Sequence, residues 1–200
     1  MTRRVGILGG TFDPIHIGHI AVANEAVAAL KLDTVLIVPA GSPWQKNGAV
    51  HAAPEDRYAM ALVATLPHEH LDVSRVEIDR DGPSYTIDTL RTLAADPDNI
   101  DTEFFFITGA DALAGLPTWR EYPALLGLAT FVGVTRPGHN LDAELPSREG
   151  KIKFLPIPGI DVSSTMIRRR LAAGQSIDGL APADVITYIR KRNLYSEGTR

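Results

Sequence analysis

Apolar residues along this chain gather in two kinds of run. Short unbroken ones, at Val5 to Leu8, Thr34 to Pro39, Glu103 to Thr108 and Ala129 to Thr135, are rich in β-branched or aromatic residues and stop at or near glycine or proline. Such runs predict strands buried on both faces, as in a parallel sheet. Between and after them, Ile17 to Leu30, Glu55 to Leu66, Tyr85 to Ala95, Pro123 to Leu128, Ser164 to Ala173 and Ala183 to Lys191 have helical character. Alternation of the two kinds predicts an α/β fold, a doubly wound parallel sheet with helices on both faces. Arg136 to Lys151, with prolines and glycines among charges, predicts an exposed loop rather than a linker, because too little chain follows it for an independent core. One domain over residues 1–200 is expected, with a helical C-terminal subregion at about 160–195.

Composition narrows the classes. A net charge of -4 and a pI of 5.8 argue against a general nucleic-acid binder, whose phosphate-neutralising surface makes it basic. The absence of cysteine excludes disulfides, thiolate metal sites and a cysteine nucleophile. The apolar run before Gly9 is too short for a signal peptide or a membrane span, so a cytoplasmic location and no membrane partner are expected.

The first candidate site is the loop from the first strand to the first helix, Gly9-Gly10-Thr11-Phe12-Asp13-Pro14-Ile15-His16-Ile17-Gly18-His19. It falls where open α/β sheets bind ligands. Two glycines let a phosphate approach backbone N–H groups, and the helix adds its positive end. His16 and His19, three apart, share one helix face and can both donate to one phosphate. The bland readings are a buried, satisfied histidine pair and two ligands of a metal site whose third is missing. A dehydrogenase fingerprint fits badly: there is no G-x-G-x-x-G, and the second strand ends in Pro39-Ala40-Gly41 without a ribose-binding carboxylate.

The second candidate is Asp161 to Arg170, where Ser163, Ser164 and Thr165 stand at a helix start and Arg168 follows one turn later. Hydroxyls, free N–H groups and a guanidinium suit a polyphosphate. An ordinary cap followed by a solvated basic face is the alternative, and Arg169 with Arg170 fit such a face. One ATP lying across the sheet would satisfy both segments.

These segments carry a family resemblance. Gly10 to His19 resembles the HIGH-type motif of the nucleotidyltransferase superfamily, whose fold is Rossmann-like, and Ser163 to Arg168 resembles its second signature. His16, Ser84 to Leu90, Gly109 to Leu113 and Leu116 to Trp119 are similar to the nicotinate mononucleotide adenylyltransferases, and the likeness runs from residue 4 to about 195. It implies ATP binding by Gly9, Gly10, Thr11, Phe12, His16, Gly18, His19, Gly109, Asp111, Ser163, Ser164, Thr165 and Arg168. Asp13, Lys46, Tyr85, Thr86, Trp119 and Arg136 would bind the mononucleotide, Thr86 near the nicotinate carboxylate and Trp119 stacked on the ring. Asp111 and Thr86 could equally cap helices, and Trp119 could be core. The family's Pro-Pro-His-Lys after the second strand is here Ser42-Pro43-Trp44-Gln45-Lys46, which leaves Trp44 as a loop anchor or a gate.

The resemblance implies adenylyl transfer from ATP to nicotinate mononucleotide, with His16, His19, Lys46 and Arg168 as catalytic residues, Mg²⁺ carried by ATP and no protein metal site. No general base is required, since the attacking phosphate is already an anion. The alternatives are nicotinamide mononucleotide or phosphopantetheine as acceptor, a non-catalytic ATP sensor, and a synthetase fragment, which the acidic pI disfavours. A homodimer is a further expectation.

Overall fold

The computed structural model describes residues 2–43, 50–135, 150–157 and 159–196. Six parallel strands form one sheet: β1 (Arg3–Gly10), β2 (Thr34–Pro39), β3 (Leu71–Val73), β4 (Thr102–Gly109), β5 (Thr130–Thr135) and β6 (Ile152–Pro156), in the spatial order β3-β2-β1-β4-β5-β6. Seven α-helices lie among the described residues: α1 (Ile17–Leu30), α2 (Pro54–Thr65), α3 (Thr86–Ala95), α4 (Ala110–Ala114), α5 (Tyr122–Leu128), α6 (Ser164–Ala172) and α7 (Ala183–Arg192). Ile7 pairs with Leu36 on one side and Phe106 on the other, so β1 is central. The strand order reverses between β1 and β4, and that reversal opens a crevice beyond their carboxyl ends.

Alternation along the strands builds two cores. Leu8, Ile37, Phe105, Ile107 and Val132 face α1, α2, α6 and α7, where Ile20, Met60, Ile167 and Val185 are buried. Val5, Ile7, Phe104, Phe106 and Phe131 face the opposite way, against Ile87 and Leu90 of α3, Leu113 of α4 and Leu125 of α5. The helices therefore cover both faces of the sheet. Each fully buried Phe or Ile in these layers contributes roughly 1.5–3 kcal/mol by removing its apolar surface from water. The α6 and α7 helices share their core with α1 and α2 rather than forming a layer of their own.

Two strands depart from the expected set. β3 has only three residues, and β6, on the sheet edge, follows directly on the segment expected to be a loop. Residues 136–149 of that segment lie outside the described residues. β5 begins at Thr130 rather than Ala129, which instead ends α5, its N–H bonded to the Leu125 carbonyl.

Candidate active site

The loop after β1 is held by apolar anchors. Phe12, in the left-handed region at φ 50°, is 2 % exposed, and Ile15 is fully buried. A Cβ at Gly10 would stand 2.9 Å from the Phe12 ring, so the glycine is required by this inward turn as well as by ligand access. His16 is the N-cap of α1, and its N–H donates to His19 Nδ1 over 3.2 Å. With Nδ1 accepting, the proton of neutral His19 sits on Nε2, which becomes a donor. The two imidazoles stack with centroids 3.6 Å apart, and Phe12 meets the His19 ring edge-on at 4.9 Å. Gly18 makes room for the stack, since a Cβ there would lie 3.1 Å from the His16 ring. The two rings thus stand together at the start of α1, His16 just before the helix and His19 in its first turn.

The second motif closes on the first from 150 residues away. Ser163 caps α6, its Oγ accepting the Met166 N–H at 3.1 Å. Ser164 Oγ donates to the Pro14 carbonyl at 2.9 Å. Arg168 Nη1 donates to the Asp13 carbonyl at 2.7 Å, and its Nη2 to Thr165 Oγ1 at 3.3 Å. A guanidinium carries five donors, so Arg168 keeps others for an anion.

The crevice has two lobes that share Gly9 and Thr108. The first, about 290 Å³, is lined by His16, Gly18, His19, Gly109 and Ser163 among others. The second, about 180 Å³, is lined by Gly10, Thr11, Tyr85, Thr86 and Trp119. Tyr85 is the N-cap of α3 and Thr86 its first residue, so the N-terminus of that helix stands at the cavity wall. Trp119 is half-buried and held edge-on by Phe106 at 5.8 Å and Phe131 at 6.2 Å, so it is core on one side and cavity wall on the other. Arg120 lies over the Tyr85 ring at 4.9 Å and lines the same lobe. Sequence reasoning missed Arg120 and Thr108; Arg120 sits next to a tryptophan that was singled out, and Thr108 ends a predicted strand at the switch point.

Other candidates fall elsewhere. Asp13 is 3 % exposed and lines neither lobe; its carboxylate accepts the His51 N–H at 2.8 Å, the Ala52 N–H at 3.0 Å and the Tyr195 hydroxyl at 2.7 Å. Asp111 is exposed in the first turn of α4, which Gly109 caps. Lys46, Trp44 and Arg136 lie outside the described residues. Among the described residues, no three His, Asp or Glu side chains gather as metal ligands would, and no helix is long and apolar enough to cross a membrane.

Strand order and crevice are those of a doubly wound α/β protein, and the paired histidines joined to a serine- and arginine-bearing helix start resemble the nucleotidyltransferase class. The cytidylyltransferase-like family model matches residues 7–170. The chain is 51% identical over 189 residues to the probable nicotinate-nucleotide adenylyltransferase of Streptomyces coelicolor, covering 94% of this chain and 98% of the relative. That of Frankia alni is 51% identical over 191 residues, with 94% and 98% covered. The chain belongs to the nicotinate-nucleotide adenylyltransferase family. Its fold matches Plasmodium falciparum nicotinic acid mononucleotide adenylyltransferase complexed with NaAD at a TM-score of 0.79 and 21% identity, covering 96% of this chain and 97% of that one.

Proposed function

We propose that this chain transfers the adenylyl group of ATP to nicotinate mononucleotide, giving nicotinate adenine dinucleotide and pyrophosphate. The observation that carries the reading is the junction of the two motifs at one crevice whose lobes meet over Gly9 and Thr108. ATP would occupy the histidine lobe, its phosphates near His16, His19, Ser163, Ser164, Thr165 and Arg168 and its ribose near Gly109 and Asp111. Nicotinate mononucleotide would lie in the aromatic lobe, its ring on Trp119 and its carboxylate at the start of α3 beside Tyr85 and Thr86. Its phosphate then faces the α-phosphorus, to which one bond forms as the bond to pyrophosphate breaks. Lys46 and Arg136 would add positive charge.

Among the described residues that line the histidine lobe there is no carboxylate, and the cation Arg168 stands on α6 beside it, which suits phosphate oxygens. Mg²⁺ would come held by ATP and neutralise part of its charge. The protein's part is to orient both substrates in line and to donate hydrogen bonds where negative charge gathers. Arg120, a cation at the aromatic lobe, would favour a carboxylate over an amide on the ring. A cytoplasmic enzyme of one domain per chain, assembled as a homodimer, goes with this reading; sedimentation decides the assembly.

The test is pyrophosphate release from ATP and Mg²⁺ with nicotinate mononucleotide, nicotinamide mononucleotide or phosphopantetheine as sole acceptor. Release should be fastest with the nicotinate compound. A preference for another acceptor would reassign the substrate, and silence with all three despite ATP binding would make the chain a sensor.

A further inference from the structure

Arg57, on α2, has no exposed surface, yet among the described residues its guanidinium meets no carboxylate within bonding distance. Its donors go to three backbone carbonyls instead: Nε to Ala52 at 3.3 Å, Nη1 to Thr11 at 2.8 Å and Nη2 to Gly41 at 3.2 Å. Those carbonyls belong to the loop after β1, the loop after β2 and the approach to α2. Burial pushes the Arg57 pKa down, and the nearby Asp13 charge opposes that. A cation this costly to bury fastens segments that apolar packing alone would leave free to shift.

Asp13 does the same with opposite sign. Its two oxygens take the His51 and Ala52 N–H groups from one side and the Tyr195 hydroxyl from the other. Tyr195 arrives from beyond α7 with its backbone in the left-handed region at φ 63°, a conformation unfavourable for tyrosine and sustained here by the bond to Asp13. Burial beside the Asp13 charge pushes the Tyr195 hydroxyl well above its ordinary pKa, so it stays a donor across the working range. Arg168 reads the outcome, because its shortest hydrogen bond is to the carbonyl of Asp13. The Thr11 carbonyl, turned inward to Arg57, sends the Phe12 N–H to the opposite side of the same planar peptide.

Neither Arg57 nor Tyr195 lines the two lobes of the crevice. We infer that Arg57 and Tyr195 are positioning residues for adenylyl transfer, acting through Thr11 and Asp13 to hold the histidine-bearing loop in register with Arg168. The inference rests on the transferase reading above. It makes the C-terminal segment part of the catalytic apparatus although Tyr195 lines neither lobe.

Tyr195→Phe keeps the ring and its packing and removes one donor. Its kcat for pyrophosphate release with nicotinate mononucleotide should fall about tenfold while both KM values stay within about twofold, as expected for an interaction that matters in the transition state. Arg57→Lys, which keeps a charge but not the fork, should lower kcat further with the same split. Both are assayed at a temperature where circular dichroism shows them folded. Wild-type kcat in Tyr195→Phe, or a loss that only tracks the unfolded fraction, would overturn the inference. Silence of the wild-type protein with every acceptor would instead overturn the transferase reading, so the two failures are separable.

Discussion

The two lobes of the crevice are built on different principles. At the histidine side, the polar groups of the two motifs are fastened to backbone: His19 to the His16 N–H, Ser164 to the Pro14 carbonyl and Arg168 to the Asp13 carbonyl. On the aromatic side, Trp119 leans on Phe106 and Phe131, and Arg120 lies over Tyr85 with over half its side chain exposed. The difference separates two tasks. Stabilising charge at a reacting phosphorus requires donors fixed before the substrate arrives. Choosing among acceptors requires shape and a cation near the ring, and these tolerate some movement.

The largest effect expected from this division is in His19→Ala. Its kcat should fall about 10²–10³-fold with little change in either KM, the loss typical of a preorganised donor to developing charge. Steady-state pyrophosphate release measures it, and a wild-type rate would remove His19 from the chemistry. Trp119→Ala comes next. Losing a stacked ring is worth about 1–3 kcal/mol, so KM for the mononucleotide should rise roughly 5- to 150-fold with kcat much less affected. A fall in kcat alone would erase the contrast between the lobes.

Arg120→Gln should be milder, lowering the preference for nicotinate over nicotinamide mononucleotide by about threefold, and less in high salt, because an exposed charge is screened. An unchanged ratio would leave the choice to the backbone at Thr86. Smallest of all, Glu55→Ala breaks the exposed pair with Arg75, neither of which lines a lobe, and both KM values and kcat should stay as they are. A kinetic change there would show that the surface of α2 is coupled to the site.

How much of this was legible follows from burial. β1, β2, β4 and β5 are covered on both faces and appear as continuous apolar runs, so the sheet and its switch point could be read directly. β3 is three residues, Leu-Asp-Val, and β6 is a mostly exposed edge strand, Ile-Lys-Phe-Leu-Pro; neither offers a pattern long enough to register. The histidine pair and the serine-rich helix start could be found because local spacing fixes them. Asp13, which the resemblance places with the mononucleotide, fastens the loop in the fold through partners 38 and 182 residues away that no local pattern joins to it. Arg57 sits in Pro-Glu-Asp-Arg-Tyr, which looks like a solvated helix start, and only the folded chain shows it buried among carbonyls.

The central claim is that the two motifs bind one ATP for attack at its α-phosphorus. The direct measurement is a parallel incubation with nicotinate mononucleotide and ATP labelled at either the α- or the γ-phosphorus. The α label should appear in a dinucleotide and the γ label only in pyrophosphate. A γ label on the mononucleotide, or an α label left in AMP or ADP, would contradict the account.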